Sequence, residues 1–379
     1  MAGPLSGLRV VELAGQGPTP LACMLLADLG ADVVRVDRAV GSAWHTGDPV
    51  DDVFGRGRRS IALNLKDQRG VDLALRLIER SDVLIEGFRP GVTERLGLGP
   101  QVCLERRPRL IYGRMTGWGQ DGPLASTAGH DINYLALSGA LHAIGQAGGP
   151  PVPPLNLVGD GGGGGMLLAF GIVSALHAVN RTGRGQVVDA AMIDGVAALL
   201  APFYTAAATD GWGPRGTNLV DGGAPFYTVY QTADDEYVAV GALEPVFYRE
   251  LLKRLGLNEF DSDRQMNRDE WPALRIAMAA AFATRTREEW AAEFADADAC
   301  VTPVLSLAEA PGHPHHVARR AFVNLSDRPH PTSAPRFGHT RPEDPRPAPA
   351  IGEHTDAVLA ELGLTTDEVA AAKLARFVA

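Results

Sequence analysis

Several features that would point to common functions are missing from this chain. Its 379 residues include only three cysteines, Cys23, Cys103 and Cys300. No pair has metal or redox spacing, and an odd count does not build a disulfide frame. A reduced, cytoplasmic setting is therefore expected. The formal charge of −10 argues against a nucleic-acid partner, which would demand a basic face. Residues 1–13 lack the charged and apolar regions of a signal peptide. No uninterrupted apolar stretch reaches the roughly 18–20 residues that span a bilayer, so no membrane partner is expected. There is no period of 20–50 residues. Nucleophile-elbow, Walker and His-Glu-x-x-His motifs are all missing. His313-Pro314-His315-His316 lacks a carboxylate pattern beside it and reads as a solvated loop, not a metal site. His142 and His177 sit in apolar helical stretches and read as core residues.

What is present begins with a strand-turn-helix-strand unit. Residues 8–13 read as a buried strand, Gly15 and Gly17 as a turn, residues 21–29 as a helix ended by Gly30, and residues 32–36 as a second strand. Such a unit favours a parallel sheet. The alternation continues with strands at 60–65, 83–86 and 110–115, helices at 71–79 and 131–142, an apolar helix at 166–179, a strand at 186–190 and a helix at 192–208. Residues 210–224 read as a linker. Beyond it the style changes: segments 226–231 and 237–240 flank Asp234-Asp235 as a hairpin, and helices follow at 247–255 and 288–294. The expected class is α/β. A large domain begins at 1–209, a smaller α+β domain occupies 225–325, and an extended, Pro-rich return with terminal helices fills 326–379.

Three constellations can carry chemistry. Gly15-Gln16-Gly17 is an incomplete dinucleotide turn, because Pro20 holds the position of the last glycine. The second strand runs into Asp37-Arg38, where Arg suits a phosphorylated ribose; the plainer reading is a surface residue at a strand end. Arg56, Arg58 and Arg59 form a short basic cluster open to an anionic ligand. His130 beside Asp131 is either an acid/base site or a helix start with Asp131 near its cap. Asp160 precedes five consecutive glycines, 161–165, whose folding entropy is costly. Either the backbone there approaches a ligand, a loop opens and closes, or the run is a flexible linker.

Together these pieces resemble the class III CoA-transferase family, and within it the branch that racemises α-methylacyl-CoA. The resemblance covers nearly the whole chain. It runs through Leu5-Ser6-Gly7-Leu8-Arg9-Val10-Val11-Glu12-Leu13, Glu86-Gly87-Phe88-Arg89-Pro90-Gly91, Thr116-Gly117-Trp118-Gly119 and Gly352-Glu353-His354-Thr355. The discriminating piece is Gly129-His130-Asp131-Ile132-Asn133-Tyr134 upstream of Gly159-Asp160. The family's transferases resemble this chain at Asp160 but usually lack the histidine. A glycine run this long is more usual among the transferases.

The resemblance implies a Rossmann-like large domain completed by the C-terminal tail, and two chains interlocked as a homodimer. It also implies an acyl-CoA substrate, with coenzyme A belonging to the substrate and no further cofactor. By position, Arg38 matches a phosphate or adenosine contact, and Leu63, Asn64, Leu65 and Lys66 match the adenine segment. Gly87, Phe88, Arg89 and Arg95 match pantetheine and phosphate contacts, and Gly129 and Tyr134 also fall among the CoA-binding positions. His130 and Asp160 are the expected acid/base pair. Glu244, from the partner's small domain, is expected to orient His130. Asp131 and Asn156 are expected to position the thioester, with backbone N–H groups near the glycine run receiving the oxyanion. The activity implied is inversion of C2 in 2-methylacyl-CoA thioesters. The alternative is transfer of CoA through an Asp160 acyl anhydride.

Overall fold

The computed structural model describes residues 3–39 and 49–379. Contacts divide the chain into two units: Met1–Ser138 with Leu155–Leu199 and His315–Ala379, and Gly139–Pro154 with Leu200–Pro314.

Unit 1 holds a six-stranded sheet of β1 (Arg9–Leu13), β2 (Asp32–Arg38), β3 (Arg59–Leu63), β4 (Val83–Glu86), β5 (Ile111–Thr116) and β6 (Gln186–Ala191). The order is 3-2-1-4-5-6, and every pairing is parallel. That is the doubly wound dinucleotide-binding order, with its crevice outside the carboxyl ends of β1 and β4 where the winding reverses. Strands β1 to β5 are largely buried on both faces because both are covered, whereas β6 at the edge is mostly exposed. Val11, Val34, Ile61 and Leu84 face α2 (Gln68–Glu79) and the C-terminal helices. Val10, Val33, Ile85 and Ile111 face α1 (Pro18–Asp28) and a helix at 167–182.

The tail completes one face. Val358, Leu359, Leu362 and Val369 join the core against α2. Asn64 donates its N–H to the Phe377 carbonyl at 2.9 Å, and Ala379 donates to Ala62 at 3.1 Å. Across the expected boundary at 325/326, beyond which an extended chain is expected, residues Phe322–Leu325 and Arg328–Pro331 form an antiparallel hairpin.

Helix α1 starts three residues earlier than its apolar spacing predicts, because proline is favoured in a first turn whose N–H groups have no partners. The expected helix at 131–142 is broken in two: α3 (Asp131–Leu137) ends, and Gly139 at φ +82° turns the chain into Ala140–Ala143.

The glycine run is neither a loop nor a linker. Leu157–Met166 is a π-helix that continues into α4 (Leu167–Thr182), and the run is the surface on which helices touch. A Cβ on Gly163 would meet the Val196 backbone nitrogen at 2.8 Å, and one on Gly165 would meet the Pro18 carbonyl at 2.9 Å. From the other side, a Cβ on Gly195 in α5 (Met192–Leu199) would strike the Gly163 carbonyl at 2.0 Å. Glycine is required there because backbone meets backbone. Joined in this way, Leu157–Thr182 becomes a helix long and apolar enough to cross a membrane by length and composition, with mean hydropathy 1.6; the sequence reading, which broke the stretch at the glycines, anticipates no such helix. Here Leu168, Ile172, Ala175 and Val179 are buried in the core beneath the sheet.

The arginine cluster is spent inside unit 1. Arg58 pairs with Glu12, Arg56 with Asp28 at 2.6 Å, and Arg59 with Asp32 at 2.7 Å. None of the three awaits an anion, which corrects the open reading of that cluster.

Unit 2 contains an antiparallel sheet of β7 (Tyr227–Gln231), β8 (Tyr237–Gly241) and β9 (Val301–Pro303). Its core includes Phe226, Tyr248, Trp271, Phe282 and Trp290. The helix Trp271–Phe282 is not among the elements read from sequence. Residues 210–224, expected as a linker, are built into the unit. Asn218 is buried, and the Asp221 carboxylate accepts the N–H groups of Gly216, Asn218 and Gly223 at 2.7, 2.8 and 3.2 Å. Residues 139–154 belong here because Arg215 donates to the carbonyls of His142 and Gly149.

Candidate active site

A cavity of about 420 Å³ opens at the carboxyl ends of β1, β4 and β5. It is lined by residues 16–19 after β1, 87–90 after β4, 115–118 after β5 and 128–130 before α3, together with Tyr134 and Asp160. This is where an open α/β sheet offers a crevice. Gln16 and Gly17 of the Gly15-Gln16-Gly17 turn border this cavity. Gly17, at φ +63°, lacks a Cβ that would stand 3.4 Å from Asp160 Oδ2. The space left by the missing side chain faces a carboxylate.

His130 is the residue before α3, in extended conformation, and is exposed. It lines the cavity together with Asp160. Asp160 lies in the first turn of the π-helix, a geometry common at functional sites. Burial pushes its carboxyl above the usual carboxylate range; the charge of Asp131 adds to this, while the Asn156 hydrogen bond and His130 hold it back. A raised carboxyl favours reversible proton exchange with a weaker acid.

Asp131 and Asn156 attend to Asp160. Asp160 donates its N–H to Asp131 Oδ1 at 2.7 Å, and Asn156 Nδ2 donates to Asp160 Oδ2 at 3.3 Å. A Cβ on Gly159 would sit 2.3 Å from Asp131 Oδ1, so the glycine before Asp160 is needed for that bond. The expectation that N–H groups near the glycine run receive an oxyanion meets an obstacle. The Asp160 N–H is taken by Asp131, and the Gly161 N–H by the Asn156 carbonyl at 3.1 Å. In the first turn of α3, by contrast, Asn133 and Tyr134 donate to the His130 carbonyl. Among the described residues the N–H of Asp131 makes no hydrogen bond.

Of the expected CoA positions, Gly87, Phe88, Arg89, Gly129 and Tyr134 line the cavity. Glu86, at the end of β4, accepts the Phe88 N–H at 2.7 Å and is itself held by Arg114 at 2.8 Å, so the turn carrying Gly87 and Phe88 is fixed from below. Arg38, Leu63, Asn64, Leu65, Lys66 and Arg95 do not line this cavity. Arg38 is exposed at the end of β2, in register with Leu63 at the end of β3. The Leu63 side chain is in the core, with its carbonyl taking the Ala39 N–H at 3.3 Å. Asn64 accepts the Lys66 N–H at 3.1 Å, and Lys66 is exposed. Arg95 is exposed at the end of the short helix Val92–Arg95.

Glu244 belongs to unit 2. It is exposed at the start of the helix Pro245–Leu255, and Gln265 donates to the carbonyls of Ala242 and Leu243 just before it at 2.9 and 3.1 Å. Gln16, Thr19, Trp118 and Met192 line the cavity without having been singled out for the site. Trp118 had a signal in Thr116-Gly117-Trp118-Gly119, and Gln16 stood within the Gly15-Gln16-Gly17 turn. Among the described residues no group of three or more His, Cys, Asp or Glu side chains is arranged to hold a metal.

Comparison with known proteins accords with this geometry. The sequence model of CoA-transferase family III matches residues 5–355. Alpha-methylacyl-CoA racemase of Mus musculus is 48% identical over 369 residues, covering 96% of this chain and 95% of that protein. The Homo sapiens protein of the same name is 47% identical with the same coverage. Acetyl-CoA:oxalate CoA-transferase of Acetobacter aceti is 32% identical, covering 95% of this chain and 96% of that protein. Among solved structures, a CAIB/BAIF family protein from Brucella suis is similar with a TM-score of 0.82 and 28% identity, covering 96% of this chain and 100% of that one. Three strands' ends, one acidic residue on a π-helix and a match over most of the sequence converge: the chain belongs to CoA-transferase family III.

Proposed function

We propose that this protein inverts C2 of 2-methylacyl-CoA thioesters by two-base proton transfer between His130 and Asp160. The observation that carries the reading is the meeting of these two groups on one cavity, with the Asp160 carboxyl raised by burial. The relatives at 47–48% identity, both named alpha-methylacyl-CoA racemase, support the substrate class.

One group takes the α-proton as the C–H bond breaks, and the electron pair moves into the thioester carbonyl to give an enolate. The other group then gives a proton to the opposite face of the same carbon. The pair thus starts and ends each turnover with one proton, on the carboxyl when the imidazole is the base and on the imidazole when the carboxylate is, and it holds two while the enolate exists. The developing oxyanion needs a donor already in place, and the free Asp131 N–H at the start of α3 is the donor we assign. Asp131 and Asn156 fix Asp160, and Glu244 of a second copy orients His130 and sets its tautomer. Arg38, the 63–66 segment, Arg89 and Arg95 hold the CoA part of the substrate. Coenzyme A enters as substrate, and the chemistry asks for no metal or redox group.

A homodimer fits an apolar stripe that runs from the last residue of the π-helix into α4. Met166, Phe170 and Val173 are 61%, 70% and 43% exposed and recur at helical spacing, an apolar stripe that association would cover. The three cysteines are free, in keeping with a reducing, cytoplasmic setting.

The test is incubation of one epimer of a 2-methylacyl-CoA in deuterium oxide with no acceptor acid. Wild type should incorporate deuterium at C2 and invert it, and His130→Ala should lose inversion. Wild-type rates of inversion in that variant would end the two-base reading. The second reading, an Asp160 acyl anhydride in CoA transfer, is favoured by relatives such as the oxalate transferase. It requires an acceptor acid for turnover, so the same incubation separates the two.

A further inference from the structure

We infer that Tyr134 and Asn133 are positioning residues that lock the backbone on either side of His130, and so aim the imidazole at the α-carbon; this rests on the two-base reading above. His130 needs such a device. It is exposed, the residues at 126–128 leading to it are exposed, and its backbone is extended. Little packing holds it. Yet an acid/base group must stay within about 0.5 Å and 10–20° of its productive geometry.

Four hydrogen bonds supply what packing does not. The His130 N–H donates to Asn133 Oδ1 at 3.0 Å. The His130 carbonyl accepts from the N–H groups of Asn133 and Tyr134 at 2.8 and 3.4 Å. The fourth reaches one residue further back: the Tyr134 hydroxyl donates to the Gly129 carbonyl at 2.5 Å. Both peptide planes flanking the His130 Cα are therefore tied to the same turn of α3.

The tyrosine is itself rigid. It is 5% exposed, with its ring edge-on to Trp118 at a centroid distance of 4.7 Å. Two glycines make room for it. A Cβ on Gly117 would stand 2.0 Å from Tyr134 Cζ, and one on Gly129 would stand 2.9 Å from Tyr134 Cε1 and 3.0 Å from Trp118 Cζ2. The hydroxyl stays a donor at any working pH, because burial, with Asp160 and Asp131 nearby, pushes it up to about 12. With that donor committed to Gly129, Tyr134 acts on the substrate through His130.

Tyr134→Phe removes one oxygen and keeps the ring. Inversion should fall about 10–100-fold in kcat, the cost of a misaimed group, with KM for the thioester unchanged. The epimer whose α-hydrogen faces Asp160 should keep exchanging it for deuterium without inversion at near the wild-type rate, because only the opposite face is impaired. Asn133→Leu should do the same, and Asn133→Asp, which keeps an acceptor oxygen, should recover most of the loss. Equal loss of exchange on both faces, a raised KM at constant kcat, or no loss of inversion would each overturn the inference. A readout independent of turnover is the 15N spectrum of the His130 imidazole, assigned by its disappearance in His130→Asn. Tyr134→Phe should broaden or double those signals. An unchanged spectrum overturns the positioning role even if wild type proves not to racemise, whereas a changed spectrum with no racemisation by wild type upholds the clamp and removes only the two-base reading.

Discussion

Two neighbouring glycines should respond in opposite ways to the same added methyl group. At Gly161 a new Cβ meets nothing closer than the Asn156 carbonyl at 3.6 Å, whereas at Gly163 it meets the Val196 nitrogen at 2.8 Å and the Met192 carbonyl at 3.0 Å. Both lie in the π-helix, and neither has positive φ. Gly161→Ala therefore removes unfolded-chain entropy without a clash and should stabilise by about 0.4–1 kcal/mol. Gly163→Ala falls about 0.6 Å short of ordinary contact with the backbone of α5, which cannot rotate away as a side chain can, so overpacking should cost about 1–3 kcal/mol. The assay is urea unfolding of the two variants beside wild type, followed by far-UV circular dichroism and checked by calorimetry. The midpoint should rise for Gly161→Ala and fall for Gly163→Ala. Shifts of the same sign and similar size would refute the reasoning, since they are what a solvated, unpacked glycine loop would give.

Asp160 provides a paired test with opposite signs. Asn156→Ala removes a hydrogen bond that lowers its carboxyl, so the acid limb of kcat/KM in the direction where Asp160 is the base should move to higher pH. Asp131→Asn removes a charge that raises it, so that limb should move to lower pH; pH–rate profiles of single epimers read both. Arg58→Met leaves Glu12 buried without its cation and should cost about 3–5 kcal/mol, most of it recovered in Arg58→Met with Glu12→Leu. Burial raises the Glu12 carboxyl. The native state thus binds this proton more readily than the unfolded state does, and that contribution to stability is lost as pH rises through the folded value. The single variant should therefore lose more stability at pH 8 than at pH 5, as urea midpoints at the two pH values would report.

Much of unit 1 is legible in the chain because its signals are local. Apolar runs of four to seven residues, each closed by a turn residue, mark β1 to β6 within a residue or two. The Asp32-to-Arg38 strand and the Gly30 stop at φ +98° need no tertiary knowledge. The helix Trp271–Phe282 is passed over because its alanines give a weak pattern, and its burial comes from Phe226 and the rings around it. Residues 210–224 look like a linker because Gly and Asn are turn formers. Whether such turns are solvated or caged depends on Asp221 and on Arg215 reaching residues some 66–73 positions away.

For the site, the residue types were readable and their partnerships were not. His130, Asp131 and Asp160 stand beside a helix start or a glycine run and are candidates on that ground, while the choice of His130 as acid/base and the role of Asn156 come from the family resemblance. That Asp131 serves Asp160, that Gly17 clears space for its carboxylate, and that the glycines are a helix-packing surface depend on contacts between segments 29 to 147 residues apart, whereas Asn156 reaches Asp160 from only four residues away. Local pattern reports what a stretch of backbone prefers. Which hydrogen-bond donors remain free, and which glycines are forced, is settled only when distant segments compete for the same space, and that competition exists only in the folded chain.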